Sequence, residues 1–146
     1  MADLREAILA RLLAVVETVP NIRTVLRNYT DISDDRLPAA LVLDGDEDVV
    51  SGNERSSRSP GGPLVVEMTP EIQIVEQSDT IGSDLTAFRG QLIKLVLFDA
   101  TLLQQTGSNG KISYLGCVSS FGWLERQYGA LQMRFSFKYP LKPDDL

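Results

Sequence analysis

The sequence predicts a single mixed domain, α/β of the α+β type, in which a mainly antiparallel sheet of about four to five strands is packed by two helices. Two apolar stripes recur at helical spacing, one near the N-terminus and one in the second half. Between and after them lie runs that alternate apolar and polar residues, the period of a half-buried strand. The chain has 146 residues, of which 43% are hydrophobic. That suffices for one core, so the whole of 1–146 is read as one unit without an internal repeat.

Asp3 and Glu6 are placed as an N-cap and capping-box pair, and Leu4, Ile8, Leu12, Val15, Val16 and Val19 follow at helical spacing. The spacing predicts a helix over 3–18, ended by Pro20. Residues 22–29 alternate as a strand, with a helical continuation as the alternative, and Asp31–Asp35 is a turn. Ala39 to Leu43 reads as a short buried strand that stops at the acidic run Asp44-Gly45-Asp46-Glu47-Asp48. Residues 51–63 carry no large apolar side chain and are expected to form a flexible loop, since nothing there offsets the entropy of ordering. Strand character returns from Leu64 to Val75, where Pro70 marks a bulge or an edge. Ser83 or Asp84 caps the second helix, whose stripe Leu85, Phe88, Leu92, Leu95 and Val96 runs on towards Asp99, with Gly107 as its stop. Two strands end the fold. Lys111 to Ser119 places Ile112, Tyr114 and Val118 on one face, and Ala130 to Tyr139 alternates Leu131, Met133, Phe135, Phe137 and Tyr139 against Gln132, Arg134, Ser136 and Lys138. Gly122 to Gly129 is their hairpin, with Trp123 near its tip as local packing or as an interface anchor.

Composition narrows function. There is no histidine, which removes the usual catalytic triads and nearly every transition-metal site. The one cysteine, Cys117, excludes an internal disulfide and is read as a small buried hydrophobe. No apolar run approaches the length of a membrane span, and the N-terminus lacks the pattern of a signal peptide. Synthesis in the cytoplasm without membrane insertion is expected. Net charge is −6, so the chain is not expected to grip a phosphate backbone. The carboxylates of 44–48 invite a calcium reading, but an EF-hand loop begun at Asp44 needs glycine and glutamate where Val49 and Arg55 stand. Gly107 to Ile112 fails as a phosphate-binding loop, having Gln105 and Ile112 where glycine and Ser or Thr are required. No carboxylate pair is recognisable as a general acid and base. The expectation is a non-enzymatic protein without cofactor or metal. Asp44, Asp46, Glu47 and Asp48 are the candidate acidic surface, and Arg55, Arg58 and Trp123 are candidate contacts with a partner. A plain linker is the bland reading of the loop that carries Arg55 and Arg58.

In its order of helix, strands, polar loop, strand, helix and two strands, the chain resembles the tail terminator (tail completion) proteins of long-tailed bacteriophages. The resemblance is carried by Asp3 to Ile8, by Pro38-Ala39-Ala40-Leu41-Val42-Leu43-Asp44-Gly45-Asp46-Glu47, by Leu97 to Leu103, and by Met133 to Leu141. It implies a small domain that assembles as a hexameric ring on the growing tail tube, stops its polymerisation and presents a surface for head–tail joining. The partners implied are further copies of the chain, the tail tube protein and head–tail connector proteins. DNA passes through the ring without specific binding, so 44–48 is expected to face the channel. The implied location is the head-proximal end of the virion tail, after assembly in the host cytoplasm. Another head–tail connector or minor tail protein is the alternative, and a small ligand-binding or enzyme domain is the alternative of a different class.

Overall fold

The computed structural model describes residues 3–29, 32–51, 64–107, 110–123 and 127–143. Three helices pack on one face of a five-stranded sheet. The first helix, α1 (Leu4–Glu17), is capped by Asp3, whose carboxylate accepts the Arg5 N–H at 3.0 Å. Its buried face is Ile8, Leu9, Leu12, Val15 and Val16, the stripe read from spacing. Glu6 does not close a capping box. It reaches out of the helix to Arg27 instead.

The strands are β1 (Thr24–Arg27), β2 (Ala39–Ser51), β3 (Leu64–Gln77), β4 (Lys111–Trp123) and β5 (Gln127–Leu141), in the spatial order β1-β2-β3-β5-β4. Among the described residues only the β1–β2 pair is parallel. Val66, Met68, Ile72 and Ile74 of β3 and Leu131, Met133, Phe135, Phe137 and Tyr139 of β5 face the helices and are buried with them. The alternation of β5 is therefore that of a strand covered on one side. At the β1 end the far face is closed too, since Ala39 and Leu41 are buried.

Three further expectations are corrected. First, β2 does not stop at Asp44. It continues to Ser51 because β3 is long enough to pair with it throughout, from Ala39 opposite Val75 to Ser51 opposite Val65. The acidic run is thus strand and not strand end, and Ser51 belongs to β2. The rest of the expected loop, 52–63, lies outside the described residues, with Arg55 and Arg58. Second, the helical segment after β3 is two helices, α2 (Ile81–Leu97) and α3 (Ala100–Thr106). It begins before Ser83 and Asp84, and Asp84 instead accepts hydrogen bonds from the Ser78 and Thr80 hydroxyls. The break falls at Phe98–Asp99, where Asp99 takes an extended backbone and accepts the Leu102 N–H at 3.0 Å, starting a new helix. Pro70 meets one of its two readings, the bulge, and lies in a central strand, not at an edge. It is tolerated at a bulge, where neither β2 nor β5 supplies it a pairing partner. Gly45 is the opposing irregularity, with φ of 72°, and a Cβ there would lie 2.0 Å from the Thr69 carbonyl oxygen.

The third correction concerns β4. A bulge between Tyr114 and Gly116 shifts its register against β5. Ile112 and Tyr114 face the core, opposite Phe137 and Phe135, but Val118 falls opposite Gln132 on the other face and is exposed. Cys117 returns to the helix side, opposite Met133, yet it is exposed and not a buried hydrophobe. The reason is position: β4 is the outermost strand, with no strand on its outer side among the described residues.

Candidate functional site

The four acids of β2 do not form one surface. Pairing sends them to different places. Asp44 is half-buried and takes a bidentate bond from Arg27, Nε to Oδ1 at 2.8 Å and Nη2 to Oδ2 at 3.0 Å. Arg27 also donates to both oxygens of Glu6, at 2.7 and 2.9 Å, tying α1, β1 and β2 together. These hydrogen bonds hold the Asp44 carboxyl below its ordinary range, and the Asn28 side chain adds to the effect against the opposing cost of burial. Glu47 stands opposite Met68 and so faces the helix side. There it accepts the hydroxyl proton of the buried Tyr139. Burial first, and the Glu47 contact second, raise the Tyr139 hydroxyl far above its usual value.

Asp46 and Asp48 alone point to the far face, opposite Thr69 and Glu67, and both are exposed. That face shows a division by sign. Its β2–β3 half carries Asp46, Asp48, Glu67 and Glu71 and no base, whereas its β4–β5 half carries Lys111, Arg134 and Lys138 and no acid. One rung crosses the whole division: Asp48 is opposite Glu67, Glu67 opposite Lys138, and Lys138 opposite Lys111. Glu67 itself accepts a 2.6 Å bond from the Ser136 hydroxyl, and Glu71 lies 3.8 Å from Arg134.

The outer margin of β4 carries Leu115, Val118 and Phe121, which are 49%, 65% and 59% exposed. At the other margin β1 covers only Ala39 to Val42 of β2. Asn28 extends the cover by one residue, its side chain accepting the Asp44 N–H. Beyond it, Asp46 to Ser51 have no partner strand on their outer side among the described residues, and Val49 and Val50 are exposed there. Backbone pairing places Trp123 opposite Gln127, at the tip expected for it.

A second candidate is an open cleft of about 220 Å³ between the start of α2 and the end of β3, lined by Pro38, Glu76, Asp84, Phe88 and Gln91 among others. Burial, then the nearby Asp84, raise the Glu76 carboxyl, and one of its oxygens lacks a hydrogen-bond partner. Glu76 and Asp84 are the two ionisable side chains in its lining. A third surface is the corner between α2 and α3, where Leu95, Phe98 and Leu103 are exposed.

Among the described residues, no group of three or more His, Cys, Asp or Glu side chains is arranged to hold a metal ion. No helix among them is long and apolar enough to cross a membrane. Among the described residues, two strand margins have no partner strand and the far face of the sheet is of mixed charge. Lys111, Leu115, Val118, Phe121, Arg134 and Lys138 escaped the sequence reading as site residues. The absence of acids from 111–123 and 127–141 was visible there, but the opposition of those strands to the acidic pair was not. The chain matches no model of a known protein family and no curated protein sequence.

Proposed function

We propose that this chain is a structural virion protein that closes as a six-membered ring on the tail tube of a long-tailed bacteriophage. It stops tube growth there and presents the surface on which the head is joined. One observation carries the reading. Among the described residues, helices cover one face of the sheet, and its outermost strand, with no partner on its outer side, exposes Leu115, Val118 and Phe121. Long apolar edge strands template pairing with another chain, so such a margin suits assembly better than catalysis. The order of elements that resembles the terminator proteins supports the specific role.

In the ring, the helices lie outside and the far face of the sheet lines the channel. That face is not uniformly negative. Asp46, Asp48, Glu67 and Glu71 share it with Lys111, Arg134 and Lys138. Nearly balanced charge lets DNA pass without the strong counterion release of a basic groove.

The test is direct. Purified protein added to polymerising tail tubes is expected to decorate one end of each tube and to halt elongation, as seen by negative-stain microscopy. Tubes that keep growing with bare ends in excess protein would overturn the assignment.

A further inference from the structure

We infer that two copies of this chain join edge to edge, the first half of β4 in one copy pairing antiparallel with the free end of β2 in the next. The inference deepens the assembly reading and rests on its self-association alone, not on the tail tube.

Strand direction permits the contact. Strands β2 and β5 run one way and β3 and β4 the other. Copies related by rotation about an axis along the strands therefore set β4 beside the neighbour's β2 in opposite directions. The two margins also match in level. Among the described residues, the part of β2 without an outer partner is Asp46 to Ser51, because β1 and Asn28 occupy the strand up to Asp44. On β4 the stretch at that level is Lys111 to Ser113, since Lys111 lies on the same rung as Asp48 and Ile112, through Phe137 and Met68, on that of Glu47. The bulge at Gly116 ends the regular stretch.

Charge then selects the partner. Along the rung Asp48, Glu67, Lys138, Lys111, the two acids are neighbours and the two bases are neighbours. Directly opposed like charges on a sheet are unfavourable. In the single molecule each outermost charge meets only its like. A neighbouring copy sets Lys111 beside Asp48, so that every outer charge gains an opposite one. Edge strands that must stay single are normally blunted by charges or proline. Strand β4 has one lysine and no proline. Because the two margins differ, the contact is heterologous: it repeats in one direction and ends only by closing a ring.

The experiment is a charge exchange at low ionic strength, read by sedimentation and by sizing with light scattering. Lys111→Glu and Asp48→Lys are each expected to weaken wild-type self-association about tenfold or more, because each sets like charges across the contact. The double variant carrying both changes restores it, and so does an equimolar mixture of the two single variants, which can alternate around the ring. Thermal unfolding of each variant checks that the fold is intact. Should Asp48→Lys associate as the wild type does while Lys111→Glu does not, the contact joins β4 to something other than β2 and the inference fails. It also fails if the double variant stays dissociated, or if the wild type is monomeric at about 1 mM, the weak end of specific association. Wild-type association with bare tube ends would instead overturn the tail-capping role and leave this contact standing.

Discussion

Arg27 is the residue on which the N-terminal half is fastened. Its guanidinium bridges Glu6 of α1 and Asp44 of β2, and the two carboxylates push its own pKa upward. Glu6 is exposed, so its share is small. Asp44 is three-quarters covered and contributes more. Its carboxyl is more acidic in the folded chain than in the unfolded one. The resulting stabilisation is present in full above the unfolded value of about 4 and is lost as pH falls through the lowered folded value. Arg27→Met is therefore expected to cost about 1 kcal/mol at pH 7, with the gap to wild type closing below about pH 4. Urea unfolding at pH 7 and pH 3 measures it; an equal gap at both would show that the loss is one of packing. None of this was visible in the linear sequence. Arg27 and Asp44 are brought together by the parallel pairing of β1 with β2, which no local pattern announces.

At the scale of elements, bulges decide what alternation cannot. A strand read with unbroken period 2 sends Ile112, Tyr114 and Val118 to one face. One extra residue at Leu115 and Gly116 reverses the phase after it and exposes Val118. Strand β5 has no such irregularity between Leu131 and Phe137, and there the sequence reading and the structure agree residue by residue. Gly45 is the device on β2. It takes a positive φ under the Thr69 carbonyl and allows the strand to continue past Asp44. Gly45→Ala is expected to destabilise the domain by roughly 2 kcal/mol, from the left-handed backbone and the clash with a main-chain oxygen. Chemical denaturation checks it. A loss below about 0.5 kcal/mol, the scatter of ordinary surface substitutions, would mean that the bulge relaxes at little cost. The break between α2 and α3 follows the same logic. Asp99 caps α3 and takes a bidentate bond from Arg11 of α1, at 2.9 and 2.7 Å, so the new helix start is held from outside its own segment.

For the whole molecule, the division of charge across the sheet is the organising fact. Acids gather on β2 and β3 and bases on β4 and β5, with the helix layer on one side only. The proposed ring turns the other face to the channel. Glu67→Lys with Glu71→Lys changes that face at its centre and leaves both margins untouched. The pair is expected to give rings that bind DNA measurably, with affinity falling steeply as salt rises, each added phosphate contact contributing a slope of about −0.9 in the logarithm of affinity. Filter binding between low and moderate salt reads the effect. Unaltered DNA affinity in intact rings would place this face away from the channel.

By itself the sequence determined the local elements: the apolar stripe of α1, the covered face of β5, the proline and glycine interruptions, and a composition without histidine. Each follows from periodicity or from the chemistry of single residues, which neighbours along the chain suffice to express. Tertiary structure alone decided which strands are neighbours, where bulges reset the phase, and how the run 44–48 is shared out. Asp44 goes to Arg27, Glu47 to Tyr139, and Asp46 and Asp48 to the far face. The reason is physical. A side chain's face depends on register against a partner strand distant in sequence, and a one-residue slip in that register reverses it.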